Sequence, residues 1–169
     1  MGFPESGMSH YVLPSIDQVG ELFETLVGRP VQAKKGKPQF LRPTNKLTVA
    51  SYKGYASDDL VGAAVFDMGV SVYASAALSM IPADGVAAAA RSGVMPPNIA
   101  ENLAEIFNIA SQLIATADGD FARLNEHFGA VKDVPAELQK EIKGAMKKKI
   151  DVAVSISGYG DGLTSFFLF

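Results

Sequence analysis

Four polar side chains, Glu101, Glu105, Asn108 and Gln112, recur at a 4-3-4 spacing that sets them in line along one side of an α-helix. Two are carboxylates, which only accept hydrogen bonds, and two are amides, which donate as well as accept. No Lys or Arg stands between them to neutralise the acids. On the other side of the same helix fall Ile99, Leu103, Ile106, Ala110, Leu113 and Ile114, an apolar stripe that marks the buried face. A narrow polar ridge backed by core reads as a site. Part of it has a plainer reading: Pro97 keeps Asn98 extended, as an N-cap requires, and Glu101 three residues on completes a capping box. For Glu105 and Asn108 the plainer reading is a solvated helix face.

Composition limits what such a ridge can do. There is no Cys, which excludes disulfides, thiolate catalysis and Cys-ligated zinc and suits a reducing, cytoplasmic setting. Only two His, His10 and His127, argue against a histidine-rich metal site or a Ser-His-Asp triad. The net charge of −3 favours neither nucleic acid nor an anionic membrane. Met1 to His10 lack the charged start and apolar centre of a signal peptide, and the longest apolar run, Val70 to Ile81, is broken by three serines and cannot span a bilayer. The 169 residues, 48% of them hydrophobic and with no long linker, predict a loose arm over 1–14 and a single domain over 15–169.

The elements that must hold the ridge follow from periodicity and punctuation. Ser15 opens a helix with Gln18 as its capping-box partner, Ile16, Val19, Leu22, Phe23 and Leu26 as its buried stripe, and Gly28 as its stop. Residues 29–46, with six Lys or Arg among three prolines, read as a solvated connection. Leu47–Tyr55 and Leu60–Met68 form a hairpin around Ala56–Asp59, and Val70–Ile81 is a helix ended by Pro82. Asp84 caps a short alanine-rich helix reaching Arg91. After the ridge helix, Asp118-Gly119-Asp120 lacks the remaining ligand spacing of a calcium loop and reads as a turn capping a helix with Phe121, Leu124 and Phe128 inward and His127 near its end. Pro135 starts a further helix with Leu138, Ile142 and Met146 buried. Strict alternation over Ile150–Ile156, the glycine-rich turn at 158–162 and Leu163–Phe169 make a terminal hairpin.

This order predicts an α+β fold: an antiparallel sheet built from two hairpins, with long helices packed on one side. A near-repeat of Gly20–Leu26 in Ala104–Ala110, with Asp17 and Glu21 standing as Glu101 and Glu105 do, points to two half-domains related by a pseudo-two-fold.

The segment Glu101-x-x-x-Glu105-x-x-Asn108, with Pro135 downstream, resembles the signature of the CheC/CheX/FliY family of chemotaxis phosphatases: Ser or Asp, three residues, Glu, two residues, Asn, and a later Pro. The element order of residues 15–169 is similar as well. Two-site members carry the motif in both halves; here the first half has Glu24 where the amide belongs, so the chain looks like the single-site CheX type. Glu101 at the Ser/Asp position is a second departure from the signature.

The resemblance implies hydrolysis of the aspartyl phosphate on a CheY-like response regulator. Asn108 would orient the attacking water, Glu105 would pair with the partner's active-site lysine, and Glu101 and Gln112 would contact the partner. Such an enzyme needs no cofactor of its own, the magnesium ion belonging to the regulator. Glu24 could not replace Asn108, because a carboxylate has no N–H to donate and repels the phosphoryl group. Two other classes fit the same residues: a non-catalytic adaptor for a response regulator or the flagellar switch, and a homodimer module adding the edge of the hairpin that ends in Phe166-Phe167-Leu168-Phe169 to a second chain.

Overall fold

The computed structural model describes residues 10–169. In chain order the elements are β1 (Tyr11–Val12), α1 (Ile16–Val27), β2 (Val31–Lys35), β3 (Leu47–Lys53), β4 (Leu60–Asp67), α2 (Met68–Leu78), α3 (Ala87–Ser92), α4 (Pro97–Ala110), β5 (Ala115–Thr116), β6 (Arg123–Phe128), α5 (Ala136–Gly144), β7 (Lys149–Ile156) and β8 (Gly160–Leu168). Short 3-10 turns precede α3, follow α4 and precede α5.

The fold is α+β. Six strands form one antiparallel sheet in the order β2-β7-β8-β4-β3-β6. The two expected hairpins, β3–β4 and β7–β8, are its centre, and β2 and β6 are its edges. The order reads the same from either end once the halves are exchanged: α1 leads into edge strand β2, α4 leads to edge strand β6, and each edge pairs with the first strand of the other half's hairpin. The central register is symmetric about Val65 and Ser165, with Ala64 opposite Phe166 and Phe66 opposite Thr164. The repeat legible in α1 and α4 is thus carried through the sheet.

Alternation decides which face each strand offers. Ala50, Tyr52, Ala64, Phe66, Val152, Val154 and Phe166 meet Val19 and Phe23 of α1, Val70 and Ala74 of α2 and Leu103, Ile106 and Phe107 of α4 in the main core. Val49, Ala63, Val65 and Phe167 face the other way, onto Leu138 and Ile142 of α5 and Leu41, Val131 and Val134. The three long helices lie on one side as expected; α5 covers part of the opposite face.

Several expectations are corrected. Residues 29–46 are not only a connection: Val31–Lys35 pairs with β7, its Val31 and Ala33 packing on the core, because an edge strand needs one apolar face and tolerates lysines on the other. The segment holding Leu124, His127 and Phe128 is strand β6, not a helix; pairing with β3 outweighs a three-residue apolar period. Asp118-Gly119-Asp120 is a turn, with Gly119 at φ 93°, but no helix follows it. Asp84 caps nothing with its side chain, and Asp67, the last residue of β4, caps α2 by accepting from Val70 N at 3.0 Å. The terminal hairpin offers no free edge, since β8 pairs with β7 and β4 and β7 pairs with β2. Of the expected arm, residues 1–9 lie outside the described residues, whereas Tyr11 and Val12 pair with Thr116 and Ala115, and the Tyr11 hydroxyl accepts from Tyr55 N. Among the described residues, no helix is long and apolar enough to cross a membrane.

Candidate functional site

Helix α4 starts at Pro97, whose missing N–H costs nothing in a first turn, and Pro96 is the extended residue before it. The helix therefore begins two residues earlier than a cap at Asn98 allows, and the Asn98–Glu101 capping box does not form: no side chain caps this terminus. Glu101 is left exposed with no role in starting the helix. The contrast with α1 is direct, because there Ser15 and Gln18 make the expected reciprocal box, at 3.1 and 2.8 Å.

The buried face of α4 is Ile99, Leu103, Ile106, Phe107 and Ala110. Glu101, Glu105 and Asn108 are exposed on the opposite side, Glu105 and Asn108 about 4.5 Å apart along the axis. Gln112 is exposed too, but the α-helix ends at Ala110 and Gln112 sits in the tighter turn Ser111–Leu113, off the straight line of the other three. Among the described residues no hydrogen bond engages the side chains of these four, and the salt bridges, Arg123–Asp58 and Lys149–Asp151, lie elsewhere.

What holds the ridge in place was not legible in the sequence. The Asn102 amide, one turn from Glu105, donates to Ser75 O at 2.9 Å and to Ser79 Oγ at 2.6 Å, pinning α4 to α2. The Tyr52 hydroxyl, from β3, donates to Phe107 O at 2.7 Å, one residue before Asn108. Tyr52 is fully buried, which pushes its phenol up and keeps it a neutral donor. Phe107 stacks on Phe66 with ring centroids 4.6 Å apart and, on its other side, lies 6.2 Å from the ring of His127 in β6. His127 is thus a strand residue flanking the ridge rather than the helix-end residue expected. At the far end of the ridge, Ser111 Oγ donates to Asn108 O at 2.7 Å and fixes the backbone of the turn. Asn102 could have been suspected as a polar residue midway between the two faces; nothing in the strand pattern singles out Tyr52.

The first half presents Asp17, Glu21 and Glu24 on α1, all exposed. Glu24 is occupied: one of its carboxylate oxygens accepts from Val31 N at 3.1 Å, closing the turn into β2. A rigid helix face carrying an acceptor and, three residues on, an unengaged amide can hold a water between two fixed groups while meeting a cation with the carboxylate. Among the described residues, no group of three or more His, Cys, Asp or Glu is placed to hold a metal ion.

No family model and no curated protein matches this chain. Solved structures do. A chain of the CheX–CheY–BeF3–Mg2+ complex from Borrelia burgdorferi superposes with a TM-score of 0.51 at 14% identity, over 88% of this chain and 90% of that one. A CheC-like superfamily protein from Shewanella gives 0.48 at 11% identity, over 92% and 95%, and the middle domain of FliM from H. pylori 0.46 at 10%, over 90% and 84%. With its six-stranded antiparallel sheet and paired halves, the chain has a CheC/CheX-like fold.

Proposed function

We propose that this protein is an aspartyl-phosphate phosphatase acting on a CheY-like response regulator. The observation that carries the reading is the pair Glu105 and Asn108, exposed and unengaged on a helix anchored beside them through Asn102 and Phe107. An acyl phosphate is already reactive, and hydrolysis chiefly lacks a water held in line with the phosphorus–oxygen bond. The Asn108 amide holds that water; its oxygen attacks phosphorus, the bond to the partner's aspartyl oxygen breaks, and inorganic phosphate and a free carboxylate result. Glu105 meets the regulator's active-site lysine and sets the register, and Glu101 and Gln112 extend the contact. The magnesium ion that neutralises the phosphoryl oxygens belongs to the regulator.

A second reading, a non-catalytic regulator-binding adaptor of the same fold, is favoured by one residue. Exposed Glu101, one methylene longer than Asp and charged where Ser is not, stands at the Ser/Asp position of the family signature.

The test is the decay of a phosphorylated CheY-type regulator with and without the protein, beside Asn108→Ala. Acceleration lost about a hundredfold in the variant, at unchanged melting temperature, is the expected result for one positioned group on an exposed site. Binding of the phosphorylated regulator without acceleration selects the adaptor.

A further inference from the structure

Helix α2 ends in a Schellman motif, Ile81 N donating to Ala76 O at 2.9 Å and Met80 N to Ala77 O at 3.1 Å. The residue after the cap must then be left-handed, a position glycine normally fills, yet here it is Met80, with φ 56°. Among the described residues Met80 is the one non-glycine with positive φ. Met80 is 84% exposed and, among the described residues, is the most exposed large hydrophobic residue. The left-handed backbone costs the free protein stability.

The place of this methionine is fixed. Ser79, its neighbour, receives the Asn102 amide, and Asn102 lies about 60° around α4 from Glu105. The end of α2 therefore forms one flank of the ridge, as His127 forms the other.

We propose that Met80 is a hydrophobic anchor for the receiver domain that meets the ridge, seating in an apolar depression beside that partner's phosphorylated carboxylate. This rests on the function proposed above and deepens it: the ridge supplies the polar contacts and Met80 the apolar one, a flexible thioether side chain suited to filling an irregular hollow.

The experiment measures affinity for purified CheY-type receivers from the same genome, activated with beryllofluoride and Mg2+, together with melting temperature and the decay of the phosphorylated receiver. It uses the wild type, Met80→Gly and Met80→Leu. Met80→Gly is expected to raise the melting temperature by about 2–4 °C while weakening binding about tenfold or more; Met80→Leu keeps the affinity. In the decay assay the loss in Met80→Gly falls on KM and not on kcat. Unchanged affinity in Met80→Gly overturns the anchor while leaving the phosphatase reading intact, and a lowered melting temperature overturns the strain premise. Binding weakened in Met80→Gly with no dephosphorylation by any form supports the anchor and overturns the phosphatase. No binding by the wild type overturns both.

Discussion

Helices α1 and α4 occupy equivalent places in the two halves and differ in how each is finished. Phe23 and Phe107 correspond in the repeat, both are fully buried, and both rings pack on Phe66, at 5.8 and 4.6 Å. The exposed sides have diverged. Where α4 leaves the Asn108 amide unengaged, α1 has Glu24 turned onto Val31 N. Where β3 sends the Tyr52 hydroxyl to the last turn of α4, the mirrored residue of β7 is Val154, opposite Gly162 as Tyr52 is opposite Gly62. A duplicated fold keeps its shared core because both halves depend on it, and one surface is then free to become structural while the other holds a site.

The largest effect tests the shared part. Phe107→Ala and Phe23→Ala should each cost about 3–5 kcal/mol in chemical denaturation, since both empty the same aromatic cluster. A twofold or greater gap between them would mean that the halves are not equivalent in the core. Next comes the divergent surface: Asn108→Ala removes about a hundredfold of phosphatase acceleration, while Glu24→Ala leaves it untouched and costs about 0.5–1.5 kcal/mol of stability through the lost bond to Val31 N. Activity lost in Glu24→Ala would show that the first half also works.

A smaller effect separates the supports. Because Ser111 N turns to Asn108 O and Ile109 O, Tyr52→Phe strips the Phe107 carbonyl of the hydroxyl that bonds it and should cost about 1–2 kcal/mol. Amide hydrogen exchange should quicken at residues 108–112, whereas Val154→Thr on the other half brings no matching protection of α1.

The smallest lies where β4 runs into α2. Burial pushes the Asp67 carboxyl above its ordinary 3.8, against the pull of the Val70, Leu163 and Gly69 N–H groups. The folded chain then holds the Asp67 proton more tightly than the unfolded one, so this residue's contribution to stability grows as pH falls through the raised value towards 3.8. Asp67→Asn loses that dependence. The melting temperature of the wild type relative to the variant should rise on acidification, and a flat difference would place the carboxyl in solvent.

Much of this was legible along the chain because it is local. The capping box at Ser15 and Gln18, the stop at Gly28 and the alternation of β7 all act between residues a few positions apart. So does the ridge, since the spacing of Glu101, Glu105 and Asn108 already implies one helical face. The signature departures at Glu24 and Glu101 were likewise visible. Strand β6 was not, because Arg123–Phe128 shows no clean alternation and becomes a strand through its pairing with β3. Strand β2 was hidden among lysines for the same reason, its partner β7 lying over a hundred residues downstream.

By itself, then, the sequence determined the helices, the two hairpins and the line of acids and amide on α4, since these depend on backbone preference and periodicity within a few turns. Only the tertiary structure decided the edges of the sheet, the tethers from Tyr52 and Asn102, the engagement of Glu24 and the outward set of Met80. Each of these joins groups that the chain brings together only by folding, and a hydrogen bond or a strained turn is settled by what stands opposite it in space.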